Sequence, residues 1–173
     1  MKETTKQDMV VLITGAGKGI GRAVAETLAR RADAAGSPLS LYLAARTRSD
    51  LESLKAQLDS SVVRCDLIAG DLAEAPTEPV EACLARHGRI DALIHCAGVG
   101  RFKDFLEQTP EDLEFTIKIN VTATFLLLQR AYAVMRTQSP REGMRGQIQV
   151  VTSIAAEQPF PQSSTYCLSK YAQ

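Results

Sequence analysis

Tyr166 and Lys170 stand four residues apart in Tyr166-Cys167-Leu168-Ser169-Lys170. On a helix that spacing puts both side chains on one face, one turn apart. An ordinary tyrosine titrates near ~10, too high for efficient acid–base work at neutral pH. A neighbouring ammonium favours the phenolate and brings such a group into a useful range. The pair reads as a proton donor and the cation that tunes it. The plainer alternative is a half-buried tyrosine beside a solvated lysine, so the reading depends on its company. Ser153 lies 13 residues earlier, at the end of a predicted strand, where a hydroxyl can hold a carbonyl oxygen. Asn120 opens a predicted helix and, taken alone, reads as a cap.

A second cluster sits near the start, in Thr14-Gly15-Ala16-Gly17-Lys18-Gly19-Ile20-Gly21. Glycines let a chain turn tightly and let a pyrophosphate approach the main chain, and a following helix offers its free N–H groups. The pattern G-x-G-x-x-G is not met, because its third glycine would fall on Ile20. The spacing present is T-G-x-x-x-G-x-G, through Gly15, Gly19 and Gly21. The turn is expected to hold a dinucleotide through Gly15, Gly17, Lys18, Gly19, Ile20 and Gly21. Sites for NAD place an acid at the end of the second strand. Here that strand runs into Arg46-Thr47-Arg48, with no acid. A guanidinium at Arg46 suits a 2′-phosphate, and Lys18 adds a second cation. The cofactor expected is NADP(H), its ribose end against Arg46 and Thr47. The alternative is that Arg46 and Arg48 are solvated loop cations.

These residues need a scaffold. Short apolar runs at 10–14, 39–45, 62–69, 91–96 and 147–152 read as strands. Helical patterns alternate with them: from Ile20, with Ile20, Val24 and Leu28 on one face, and at 49–58, 77–87 and 120–137. Thr109-Pro110-Glu111-Asp112 is a helix-start signal, and Ser163 or Ser164 can cap a last helix. Alternating strands and helices, with strands almost continuously apolar, predict an α/β fold: a doubly wound parallel sheet, Rossmann-like, in a single domain over 1–173.

Composition narrows the function classes. The 173 residues carry 20 Lys plus Arg against 20 Asp plus Glu, so nothing points to a nucleic-acid partner. No apolar run reaches the ~20 residues of a membrane span. Residues 1–8 are polar and lack the apolar core of a signal peptide. Four cysteines without a C-x-x-C pair, and two scattered histidines, suggest free thiols in a reducing cytoplasm and no metal site.

The ordered set Thr14-Gly15-x-x-x-Gly19-x-Gly21, Asp71-Leu72, Ala97-Gly98, Asn120, Ser153 and Tyr166-x-x-x-Lys170 resembles the short-chain dehydrogenase/reductase family over nearly the whole chain. The resemblance implies Tyr166 as general acid and Lys170 as the residue that binds the nicotinamide ribose and tunes it. Ser153 would orient the carbonyl, and Asn120 would hold a water in a proton relay. Asp71, with Leu72 beside it, would meet the adenine, and Cys96-Ala97-Gly98 would run along the cofactor. The family usually has Asn-Asn-Ala-Gly where this chain has His95-Cys96-Ala97-Gly98, so hydrogen bonds there must differ. Family members also continue well past the Tyr–Lys helix, so the last strands of the family fold are expected to be lacking. The family implies a homodimer or homotetramer. A narrower resemblance, to the bacterial sepiapterin reductases, lies in Gly98-Val99-Gly100-Arg101-Phe102, Gln158-Pro159-Phe160, Tyr166-Cys167 and the long loop before the second strand. It implies NADPH-dependent reduction of a ketone on a pterin side chain. A small-molecule carbonyl of another kind, such as a 3-oxoacyl thioester, a non-catalytic NADP-binding role, and an inactive truncated product remain open alternatives.

Overall fold

The computed structural model describes residues 8–173. The expectation about the N-terminal residues falls mostly on 1–7 and lies outside them. Five strands, β1 (Met9–Thr14), β2 (Leu39–Ala45), β3 (Val63–Ala69), β4 (Ala92–His95) and β5 (Gln147–Val150), form one sheet. All pairings are parallel, in the order β3-β2-β1-β4-β5. The helices are α1 (Gly19–Ala35), α2 (Arg48–Leu58), α3 (Glu78–His87), α4 (Pro110–Ile117), α5 (Thr124–Met135) and α6 (Ser164–Ala172).

This is the doubly wound α/β architecture that the alternation predicts. β1 and β2 are apolar on both faces because both faces are covered. On one face Val11, Ile13, Leu41 and Leu43 pack with Ala25 and Ala29 of α1 and Leu51 and Leu54 of α2. On the other Val10, Leu12, Tyr42 and Leu93 meet Val80 and Cys83 of α3 and Leu127 and Ala131 of α5. Three of the cysteines, Cys65, Cys83 and Cys167, are buried, and all four are free. No helix among the described residues is long and apolar enough to cross a membrane.

Strand order places the site. The chain winds from β1 outward to β3, then crosses back through α3 to lay β4 on the other side of β1. The crevice beyond the carboxyl ends of β1 and β4 is the point where the winding reverses, where ligands bind in such sheets. Register aligns Thr14 with Ala44 and His95, Ala45 with Ala69, and His95 with Val150. The segments after all five strands therefore open on one edge.

Two expectations are corrected. Of the α1 stripe Ile20, Val24 and Leu28, only Val24 and Leu28 pack against the core, and they do so partly buried. Ile20 is 61% exposed, and the buried residues are Gly21, Ala25, Ala29 and Ala32. Small side chains let the helix axis approach the sheet, which the turn at Gly15 requires. Asn120 does not open a helix either. Pro110 follows a full capping box, in which Thr109 accepts from Asp112 N and Asp112 accepts from Thr109 N. From there α4 runs without a break through a π turn, Lys118–Ala123, into α5. A π turn inserts one residue into a helix, and it accompanies functional sites more often than chance.

Candidate active site

The glycine turn is built by close approach. A Cβ on Gly21 would sit 2.3 Å from Gly15 O, and one on Gly15 would sit 2.7 Å from Ala97 N. Gly15 and Gly19 also adopt left-handed φ of 69° and 56°. α1 starts at Gly19 without a side-chain cap and without an acid in its first turn, whereas α2, α3 and α4 each carry one. Its first N–H groups and partial positive charge are left for an anion.

A cleft of about 340 Å³ opens beside this turn. Gly15, Gly17 and Lys18 line it from the turn, Arg46 and Thr47 from the end of β2, Asp71 and Leu72 after β3, and Cys96, Ala97 and Gly98 after β4. Gly19 and Ile20 lie exposed beside it, and Gly21 is buried beneath the turn. The Asp71 carboxylate accepts from Ala73 N at 2.9 Å and so braces its own loop. Glycine cradle, free helix start and cation at the ribose end together fit a phosphorylated dinucleotide. A broader polar groove lies at the opposite edge of the sheet. Arg86 and Arg89 there are paired with Asp66 and Asp91, and the strand carboxyl ends are remote from it.

Gly98 joins the cleft to the chemistry. A Cβ at Gly98 would meet Asn120 Oδ1 and Lys170 Nζ, each at 3.4 Å. Lys170 is 4% exposed, hydrogen-bonds Gln173 Oε1, and holds Nζ 5.8 Å from the centre of the Tyr166 ring. Burial pulls its ammonium below the usual lysine range. Tyr166 is half-buried, with Phe102 packed against its ring at 5.6 Å. Ser153 caps a short turn, Ile154–Ala156, by accepting from Ala155 N at 3.1 Å, and that turn packs on α6.

Asn120 is wholly buried and its amide is engaged throughout. Oδ1 accepts from Val99 N (2.8 Å), and Nδ2 donates to Val99 O (2.7 Å) and Ser169 Oγ (2.9 Å). Both amide hydrogens are taken, so the side chain braces the loop after β4 against α6. The π turn is what aims it there.

His95 is a hub the sequence did not announce beyond its departure from the family motif. It is 1% exposed. Nδ1 lies 2.6 Å from Thr14 Oγ1, and Nε2 lies 2.9 Å from Thr124 Oγ1. Thr124 Oγ1 also reaches Ile119 O (3.4 Å), and the neutral ring meets one threonine as donor and the other as acceptor. Gln173 Nε2 donates to the same hydroxyl (3.3 Å), so the network reaches Lys170. Burial first, then the Lys170 ammonium, push the imidazole down to about 4. Phe102, which in the sequence carries only the narrower resemblance, becomes a neighbour of Tyr166, and Ser169 one of Asn120, only through folding.

Comparison with known proteins agrees with this fold. A family model described as short chain dehydrogenase matches residues 9–173. A sepiapterin reductase from Chlorobaculum tepidum is 39% identical over 172 residues, covering 95% of this chain and 66% of that protein. An L-xylulose reductase from Mesocricetus auratus is 33% identical, over 93% of this chain and 59% of its own length. The chain thus spans less than two thirds of these relatives. Among solved structures, an alcohol dehydrogenase from the archaeon Thermococcus sibiricus complexed with 5-hydroxy-NADP superposes with a TM-score of 0.81 at 29% identity, covering 96% of this chain and 67% of that one.

Proposed function

The chain belongs to the short-chain dehydrogenase family, and on that premise we propose that it carries the cofactor and proton-transfer machinery of an NADPH-dependent carbonyl reductase acting on a ketone of a pterin side chain. The observation that carries this reading is the convergence on Gly98: the glycine cradle on one side, Lys170 and Asn120 on the other. Similarity to a sepiapterin reductase supports the substrate class. Arg46, exposed beside the cleft, and the lack of an acid at the end of β2 support the 2′-phosphorylated cofactor.

Bound NADPH supplies the hydride that reduces the ketone carbon. Ser153 holds the carbonyl oxygen, and Tyr166 gives that oxygen its proton. Lys170, dry and one helical turn from Tyr166, favours the phenolate left behind. Asn120 keeps Val99 and Ser169, and with them the loop and α6, at the spacing this transfer needs. Gly15, Gly17, Gly19, Ile20 and Gly21 hold the pyrophosphate end, Arg46, Thr47 and Lys18 the ribose phosphate, Asp71 and Leu72 the adenine, and Cys96, Ala97 and Gly98 the nicotinamide half. Pairing into a homodimer or homotetramer is part of the reading, supported by exposed Phe125 and Tyr132 on α5 and Leu168 on α6. Four free thiols suit a cytoplasmic setting.

The test has two arms. NADPH oxidation with sepiapterin as the ketone is expected for the wild type. Tyr166→Phe should lose at least a hundredfold in turnover while still quenching its fluorescence with NADPH. Near wild-type turnover in that variant refutes the role of Tyr166. Arg46→Asp should shift binding from NADPH toward NADH, and an unchanged ratio refutes the assignment of the cofactor.

A further inference from the structure

We propose that Asp50 is a further determinant of cofactor choice, acting against Arg46 and Lys18, so that the chain retains affinity for NADH beside NADPH. The inference rests on the cofactor reading above and extends it to a residue on α2.

An acid that reads the ribose is expected at the last position of the second strand, and β2 ends on Ala45 instead. Folding brings a carboxylate to the same end of the cleft from another direction. Asp50 is the third residue of α2, and that helix starts immediately after Arg46 and Thr47. It lines the cleft together with Arg46, Thr47 and Lys18. Its Cβ lies 3.2 Å, and its Oδ2 3.7 Å, from where a side chain on Gly17 would begin. Ala45 Cβ lies 3.4 Å from the same point. The bare Cα of Gly17 thus leaves Asp50 facing the glycine turn across the ribose end of the cleft.

The charges there oppose one another. Lys18 Nζ sits 3.3 Å from Asp50 Oδ2, with the lysine 80% and the aspartate 25% exposed. The better-buried partner is the acid. Lys18 is therefore partly neutralised before any phosphate arrives, and Arg46 is the cation at this end without an ion pair among the described residues. A carboxylate accepts hydrogen bonds from ribose hydroxyls and repels a phosphate dianion. Both effects raise NADH relative to NADPH. Asp50 also favours α2 as an acid in its first turn. That role concerns folding and does not distinguish one cofactor from the other.

The experiment is fluorescence titration of the 173-residue chain with NADPH and with NADH, for the wild type, Asp50→Asn and Glu52→Gln. Glu52 is an acid on the same helix that pairs with Arg48 at 3.4 Å and does not line the cleft. Asp50→Asn is expected to raise the ratio of Kd for NADH to Kd for NADPH about three- to fivefold, the effect of removing one partly exposed like charge. The gain should shrink as salt is raised. Glu52→Gln should leave the ratio where it was. An unchanged ratio for Asp50→Asn overturns the proposal, including where both affinities fall together because α2 is weakened. A lowered ratio also overturns it, since Asp50 would then be holding Lys18 for the phosphate. Arg46→Asp tests the cofactor reading separately. Indifference to Arg46 with a response at Asp50 refutes that reading alone, and the converse refutes this proposal alone.

Discussion

Acid should destabilise this fold through His95, and the size of the effect follows from its surroundings. The imidazole is buried between Thr14 and Thr124, and in its neutral form it uses one ring nitrogen as donor and the other as acceptor. Protonation would turn the acceptor nitrogen into a second donor facing a threonine and add a charge near Lys170. The folded-state pKa is about 4, against 6.5 for a free histidine. The unfolded chain therefore binds the proton first as pH falls. The stabilisation is complete above 6.5, declines as pH drops, and is gone below about 4. By pH 5 the loss is about 2 kcal/mol, and the whole interval is worth about 3 kcal/mol. Burial also lowers His87, so the wild-type slope alone does not isolate His95. Urea unfolding followed by circular dichroism at pH 7, 6 and 5, for the wild type and His95→Asn, does so. The variant starts less stable, but its loss between pH 7 and 5 should be smaller by about 2 kcal/mol. Parallel slopes for the two proteins would refute the buried neutral hub.

Three further outcomes follow from other contacts. Gly21→Ala should cost about 3 kcal/mol and abolish NADPH binding, because the new methyl meets Gly15 O at 2.3 Å; denaturant titration and fluorescence quenching would read both. Asn120→Ala strands the Val99 N–H and carbonyl. It should lower stability by about 2–4 kcal/mol and loosen the loop, seen as faster amide exchange at Val99. Thr109→Ala removes the acceptor for Asp112 N and half of the capping box. About 1 kcal/mol should be lost in urea unfolding with NADPH affinity unchanged.

The parts legible in sequence are those that local chemistry fixes. Strand runs such as Val10–Thr14 are apolar on both faces wherever they fold, so the covered parallel sheet could be read from alternation. Gly15, Gly19 and Gly21 carry their own conformational requirement, and Thr109 with Asp112 caps a helix through neighbours three residues apart. Tyr166 and Lys170 share a helix, so their pairing needs no partner from elsewhere. On α1 the period puts Ile20, Val24 and Leu28 on one stripe, but Ile20 stays exposed, Val24 and Leu28 are only partly buried against the core, and the fully buried positions go to the small residues beside them. The π turn was invisible because an inserted residue leaves no compositional mark.

Sequence by itself determined the class of sheet, the glycine turn, the absence of an acid on β2 and the tyrosine–lysine pair. Each depends on contacts within a few residues or on a residue's intrinsic backbone freedom. Only the tertiary structure decided that Asn120 binds Val99 and Ser169, that His95 joins Thr14 to Thr124, and that Asp50 faces Gly17. Those contacts span the sheet or join separate loops. Their partners are set by strand order, register and one added residue in a helix, none of which is written in the residues that touch.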